Sequence, residues 1–321
     1  VPPLIGIARL AAASPTLESK RRTEYFELAT GQYLAPCDSP RMPFRWMINP
    51  YRGCEFGCKY CYARYTHEFM ELRGEEDFER KIFVKHFDAE AFAAQLRRLP
   101  PGEAIAIGSA TDPYQPAERR FQVTRSMLEI LARHAGFRIG LVTKSDLVTR
   151  DIDLFQEISR RNYLTLVVTI TTLDRELARL VEPLAPRPDL RVLAVRKLSV
   201  AGLRVAVNVA PILPLLNDRE PSLDAVAKAS ARAGAVQING NVVYLKECAQ
   251  KVFFPFLQNH FPDYLPRYRE RFARGAYLRG AYPDMIRERL ARIRRRYGLN
   301  ERDARAEPEL WPQDPQLTLF S

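Results

Sequence analysis

Hydrophobic positions in the middle of this chain follow two periods that alternate. Ile105-Ala106-Ile107-Gly108, Arg138–Thr143, Leu164–Ile170 and Val205–Val209 are short apolar runs, mostly β-branched, bounded by polar residues. Such runs are the mark of buried strands. Between them the apolar residues recur three and four apart, which predicts helices over Asp88–Leu99, Thr124–Ala135, Asp151–Arg161, Asp174–Leu180, Leu190–Ala201 and Ser222–Ala233. Thr124 and Asp151 stand where helix N-caps are expected, and Gly202 where a C-cap glycine belongs. Arg45–Asn49 predicts a first strand, Ala63–Leu72 a helix after it, and Val236–Tyr244 a last strand.

Strands separated by helix-length connections call for a parallel sheet with right-handed crossovers. Six such units predict an α/β fold, a partial (βα)6 TIM-like barrel, with a doubly wound open sheet as the competitor from pattern alone. Residues 1–45 form an irregular lead-in punctuated by Pro36, Pro40 and Pro43, and 46–244 form the barrel. Residues 245–298 are a basic helical extension, and 299–321 a polar, flexible tail. In barrels the chemistry gathers at the C-terminal ends of the strands, so the loops there are the place to look.

The first of those loops carries three of the five cysteines, Cys54, Cys58 and Cys61, in a C-x3-C-x2-C run flanked by Gly53 and Gly57. A cubane [4Fe–4S] cluster normally takes four thiolates, so three leave one iron open to a small ligand. The same thiolates with His67 would also make a Cys3His zinc site. Zinc ribbons, however, bring cysteine pairs from separate places, and one tight loop favours the cluster. Cys37 stands alone. The second loop, Gly108-Ser109-Ala110-Thr111-Asp112-Pro113-Tyr114-Gln115-Pro116, is rich in hydroxyl, carboxylate and amide groups suited to a polar ligand. Thr143-Lys144-Ser145-Asp146, Thr171-Thr172 and Asn208 follow or end later strands.

Asn49-Pro50-Tyr51-Arg52-Gly53-Cys54 through Tyr60-Cys61-Tyr62, with Thr111-Asp112-Pro113-Tyr114-Gln115-Pro116, resembles the radical S-adenosylmethionine (SAM) superfamily, specifically its spore photoproduct lyase-like branch. The similarity runs from about Phe44 to Tyr297. It implies the radical SAM type of partial barrel, a [4Fe–4S] cluster on Cys54, Cys58 and Cys61, and SAM on the open iron. Reductive cleavage of SAM would give a 5′-deoxyadenosyl radical that abstracts hydrogen from substrate. Tyr60, Ser109, Thr111, Asp112, Lys144, Ser145 and Asn208 would lie around SAM, with Glu182 and Arg187 as weaker candidates. The family's cysteine hydrogen donor falls here on Ala110, so Cys248, Tyr51, Tyr114 and Tyr244 are the alternative donors. Enzymes of this type also need an electron-donor protein.

Charge adds a partner. Lys and Arg outnumber Asp and Glu by 49 to 38, which favours a polyanion. Eleven arginines fall between Arg267 and Arg296, interleaved with Tyr268, Phe272, Tyr277 and Tyr282. Arginines neutralise phosphates and rings stack on exposed bases. A radical made inside a barrel cannot reach a base within a duplex, so the target must be extruded. The chain therefore predicts hydrogen abstraction from nucleic acid, foremost repair of a DNA base lesion. The alternatives are RNA, a peptide or a small metabolite as substrate, or a non-catalytic zinc protein binding nucleic acid. Gln316, Leu317, Leu319 and Phe320 resemble the peptide by which bacterial repair proteins bind the replication sliding clamp. No apolar run approaches the eighteen or so residues of a membrane span. Val1-Pro2-Pro3-Leu4 lacks the charged-then-apolar pattern of a leader, and reduced thiolates point to the cytoplasm.

Overall fold

The computed structural model describes residues 4–20, 23–40 and 42–300, the side chains of residues 18–20 excepted. Its strands are β1 (Thr16–Lys20), β2 (Thr23–Leu28), β3 (Leu34–Pro36), β4 (Trp46–Ile48), β5 (Tyr51–Arg52), β6 (Lys81–Lys85), β7 (Ala104–Ile107), β8 (Arg138–Thr143), β9 (Tyr163–Thr169), β10 (Val205–Asn208) and β11 (Gln237–Asn239). Six of them, β4, β7, β8, β9, β10 and β11, pair in parallel in chain order. A doubly wound sheet reverses its strand order at a switch point. Here no reversal occurs, and right-handed crossovers in one direction place the helices on one side and curl the sheet into a partial barrel.

The two free edges of that barrel are covered. β3 runs antiparallel along β4, pairing Leu34 with Ile48 and Pro36 with Trp46. At the other edge Ile238 donates to the Leu299 carbonyl and Asn300 bridges Gln237. Unpaired strand edges are templates for unwanted pairing, and both coverings remove that exposure. The ordered fold therefore extends past the expected boundary at residue 298, since Leu299 is buried. Gln316, Leu317, Leu319 and Phe320 lie outside the described residues.

The lead-in is structured, contrary to expectation. Gly6–Ala13 is a helix, and β1 and β2 join β6 and β5 in a second, four-stranded sheet. Its pattern is hard to read because Thr23–Leu28 mixes charged and aromatic residues on a strand buried only at Tyr25 and Leu28. The expected helix over Ala63–Leu72 is shorter, a 3-10 turn and then Tyr65–Glu68. Two expected caps also differ. Thr124 caps nothing, because the buried Glu118 carboxylate accepts from the amides of Thr124 (2.9 Å) and Arg125 (3.1 Å). Asp151 caps nothing either, its carboxylate accepting from Tyr114, Arg125 and Arg150 instead. Gly202, at φ +80, does follow the helix Pro188–Val200 as its left-handed terminator.

The C-terminal helices are part of the fold more than a rim upon it. Ala281–Tyr297 lies against Glu220–Arg232, with Ile286, Leu290 and Ile293 buried. Arg292 and Arg296 pair with Glu220 and Asp224, and Arg294 donates to the Ile238 carbonyl. Tyr268 is buried with its hydroxyl on the Pro214 carbonyl, and Phe272 is buried beside it. Much of the arginine and aromatic signal thus serves packing. Exposed Arg267, Arg269, Arg274, Arg279 and Arg295 make no ion pair among the described residues. If this helix belongs to the barrel's stability, Ile293→Ala should cost about 3 kcal/mol in chemical denaturation. Arg267→Ala, on the surface, should stay within about 0.5 kcal/mol.

Candidate functional site

Ile48 ends β4, and the chain then turns through Pro50 into the cysteine loop. Gly53 sits at φ +83, and a Cβ there would lie 2.8 Å from the Phe78 carbonyl and 2.9 Å from that of Lys81. Gly57 is at φ +62, and a Cβ there would meet Pro183 only at an ordinary 3.7 Å, so its backbone angle alone favours glycine. Cys54 donates its amide to Phe78 O, Lys59 to Val181 O and Cys61 to Cys58 O. All three cysteines are free thiols, Cys54 and Cys58 buried and Cys61 half-buried.

Burial pushes these thiols up, that of Cys54 well above its usual range and that of Cys58 to about 12, against the opposing pull of Lys144. Cys61 is raised in the same way. Desolvated thiols ionise only against strong local positive charge, which cluster iron supplies. Each thiolate of a cubane takes a different iron, whereas zinc needs its donors on one ion. Among the described residues, no three His, Cys, Asp or Glu side chains converge on a single ion. His67 is buried against Phe78 and Phe83, its Nε2 2.9 Å from the Lys81 carbonyl. Burial lowers its pKa to about 4, so it is a neutral core histidine. The donor set fits a cluster and does not fit the Cys3His zinc site.

The second loop braces the first. Thr111 Oγ1 donates to the Gly53 carbonyl at 2.6 Å, and Gln115 Nε2 donates to the same oxygen at 3.1 Å. Gln115 Oε1 accepts from the Glu55 amide at 3.0 Å, and Glu55 in turn accepts from Ala117 N and Tyr25 Oη. Asn49 holds the same loop, donating to Ser109 Oγ and accepting from Ala110 N at 2.8 Å. Asp112 ties the second loop to the third, accepting from Tyr114 N, Thr143 Oγ1 (2.6 Å) and Lys144 N (2.7 Å). Ser145 caps the turn after it, accepting from Leu147 N.

Beneath the thiols lies a buried charge pair. Glu182 and Arg191 meet at 2.6 Å, each almost wholly buried. Tyr60 Oη and Thr171 Oγ1 both donate to Glu182, and Arg191 anchors on the Pro186 and Thr169 carbonyls. Burial alone would raise Glu182, but Arg191 and Lys144 outweigh it and bring the carboxyl down to about 2. Lys144, half-buried, lies over the Tyr60 ring at 5.8 Å, and its ammonium has no hydrogen-bond partner among the described residues. The Asn208 side chain likewise carries no hydrogen bond there.

The expected SAM residues thus divide. Tyr60, Ser109, Thr111, Asp112 and Ser145 have polar atoms engaged with protein, while Lys144 and Asn208 have theirs available. Arg187 is exposed and pairs with Asp189, away from this network. The expected donors divide too. Tyr114 is buried with its hydroxyl on Asp151 at 2.8 Å, and Tyr51 is buried on Glu118, so neither faces the site. That is a correction: both phenols belong to the network of Glu118, Asp151, Arg125 and Arg150. Tyr244 is half-buried between Tyr62 and Tyr277, its ring centroid 6.2 and 4.3 Å from theirs. Cys248 is half-buried on the next helix, within electrostatic reach of Cys61. Ala110 packs into the same apolar cluster as the three cysteines. Glu55, Glu118 and Arg191 escaped notice in the sequence, and Gln115, expected there as an amide toward a ligand, is a brace instead. The one available signal was an arginine inside the buried stripe of a helix.

A parallel partial barrel with three thiols in the loop after its first strand defines a class. The Radical SAM superfamily model matches residues 48–225, and the chain belongs to that superfamily, whose cofactors are a [4Fe–4S] cluster and SAM. An uncharacterized protein of Mycobacterium tuberculosis is 36% identical over 282 residues, covering 87% of this chain and 83% of its own. One of Methanocaldococcus jannaschii is 30% identical over 186 residues, 58% of this chain and 67% of its own. Among solved structures, a spore photoproduct lyase mutant with bound AdoMet and dinucleoside spore photoproduct superposes with TM-score 0.62 at 18% identity. That match covers 84% of this chain and 79% of the lyase. Among the described residues no helix is long and apolar enough to cross a membrane.

Two outcomes test this geometry. Gly53→Ala should destabilise the protein by about 2 kcal/mol or more, and Gly57→Ala by about 1 kcal/mol, in denaturant titrations. Glu182 has a depressed folded pKa, so its stabilisation is present above the unfolded value near 4.5 and is lost as pH falls toward 2. Glu182→Gln should therefore flatten the fall in stability between pH 5 and pH 2, read from melting temperatures across that range.

Proposed function

We propose that this radical SAM enzyme abstracts hydrogen from a nucleic acid, foremost a damaged base in DNA. The observation that carries the proposal is the rim beside Cys61. There the Tyr62, Tyr244 and Tyr277 rings form a half-open platform. Exposed Arg267 and Arg269 stand on the helix Leu265–Phe272, and exposed Arg274 and Arg279 lie in the non-helical segment after it that carries Tyr277. Rings of that kind stack on unpaired bases and such arginines meet phosphates. The likeness in fold to a lyase bound to a dinucleoside photoproduct supports the same reading.

Cys54, Cys58 and Cys61 hold the cluster, and the Lys144 ammonium and Asn208 amide bind SAM. Bound there, the cluster and SAM together supply the hydrogen-abstracting radical. The remaining polar residues position the loops: Thr111 and Gln115 fix the Gly53 carbonyl, Asp112 fixes the Lys144 backbone, and Glu182 fixes Tyr60 below the thiols. Ala110 has no S–H or O–H hydrogen to return, so Cys248 and Tyr244, both half-buried at the rim, are the donors we favour. A reductant protein must reach the cluster, and reducing conditions in the cytoplasm suit it. The residues Gln316, Leu317, Leu319 and Phe320 offer a sliding-clamp peptide; that partner rests on sequence alone.

Anaerobically prepared protein should carry about four irons per chain and convert SAM to 5′-deoxyadenosine on reduction. Alanine at Cys54, Cys58 or Cys61 should abolish both. Lys144→Met should weaken SAM binding by about 10- to 100-fold, the worth of a hydrogen bond to a charged group. Ser145→Ala should cost about 1 kcal/mol of stability and leave SAM binding unchanged. For the substrate, deuterium-labelled, UV-irradiated DNA should pass label into 5′-deoxyadenosine. Transfer from RNA, peptide or metabolite pools, with none from irradiated DNA, would overturn the DNA assignment.

A further inference from the structure

Two cations lie side by side on the small sheet with no counter-ion among the described residues. β5 and β6 run antiparallel with Arg52 opposite Phe83. Side chains alternate along a strand, so Lys85 shares the face of Phe83 and is the diagonal neighbour of Arg52. Lys85 is only 9% exposed, and among the described residues its ammonium reaches a single acceptor, the Gln32 carbonyl, at 3.4 Å. Arg52 is half-buried, and its Nε is buried without any hydrogen-bond partner. Neither forms an ion pair among the described residues. A third cation stands nearby: Lys246 Nζ lies 3.9 Å from the centroid of the Tyr65 ring, and Tyr65 feels the charge of Arg52.

The other two fully buried cations among the described residues differ. Arg64 pairs with Glu79 and Arg191 with Glu182. Burying like charges together without an anion is costly. Burial and the Arg52 charge push Lys85 down to about 8. A bound oxyanion removes that penalty. A guanidinium offers a planar fork of donors and an ammonium a point charge, a combination that suits the oxygens of a phosphate.

We propose that Arg52 and Lys85 form a binding site for a phosphate group on the flank of the cysteine loop. The phosphate comes either from the phosphodiester backbone of a nucleic-acid strand or from a small phosphorylated molecule. The site stands whichever substrate the enzyme takes, since it rests on the uncompensated pair and not on the rim.

The test uses full-length, cluster-loaded protein in phosphate-free buffer, with inorganic phosphate as the probe and melting temperature as the readout. Phosphate at millimolar concentration should raise the melting temperature of the parent, and potassium chloride at equal ionic strength should not. Lys85→Met should melt higher than the parent without phosphate, and its phosphate affinity should fall about tenfold or more. Lys85→Arg should keep the phosphate response. A single-stranded 12-nucleotide DNA that competes with phosphate identifies the phosphodiester source. Failure to compete, with the phosphate response intact, identifies a small phosphorylated ligand; either supports the site. No phosphate stabilisation of the parent, or an equal response in Lys85→Met, would overturn it. These readouts involve no SAM cleavage, so the fate of the DNA assignment is separate.

Discussion

The cysteine loop has no helix and almost no strand of its own, so its shape depends on hydrogen bonds arriving from outside. They converge on one atom, the Gly53 carbonyl, which accepts from both Thr111 and Gln115. With Glu55 bound reciprocally to the same second loop, the two loops become one rigid object. Buried backbone groups without partners are expensive, and this arrangement leaves the loop's groups satisfied while the thiols stay available. A cluster needs thiolates held at fixed spacing before it binds, and the brace supplies that without engaging any sulfur.

Around this brace the protein places buried charge in two separate networks. Glu182 with Arg191, Tyr60 and Thr171 lies under the thiols, and Glu118 with Asp151, Arg125, Arg150, Tyr51 and Tyr114 lies behind the second loop. Buried pairs are weak contributors to net stability but costly to break, so they lock relative position. The first holds Tyr60 of the cysteine loop against Thr171 and Arg191. The second joins the segment before the cysteines to the helix after the second loop, which is why two tyrosines near the motifs do not face the chemistry. Lys144 stands between thiols and carboxylate, its ammonium left available because Asp112 takes only its backbone amide.

Much of this was legible in the residues. Alternating periods located five of the six barrel strands within about two residues, and the parallel order followed from helix-length connections. The last strand proved shorter, Gln237–Asn239, because the chain beyond it turns into isolated bridges at Val242 and Tyr244. The small sheet was missed because β1 and β2 are partly exposed and mixed in character, and the buried β6 is a lone five-residue run with lysine at both ends. The arginine-rich segment misled in part. A run of charge looks alike whether it meets phosphate or, as Arg292 and Arg296 do, carboxylates on a neighbouring helix.

What the sequence determined by itself was local: the βα rhythm, the glycines and cysteines of the first loop, and the polar composition of the loops after it. These depend on near neighbours and on spacing along the chain. The orientation of each polar side chain was decided only by tertiary structure. Thr111 and Ser145 have the chemistry to bind a ligand, yet their oxygens meet Gly53 and Leu147 instead. Arg52 and Lys85 lie 33 positions apart and become neighbours only through the β5–β6 ladder. Whether a hydroxyl is satisfied or a charge compensated depends on atoms brought from elsewhere in the chain, and residue order does not carry that information.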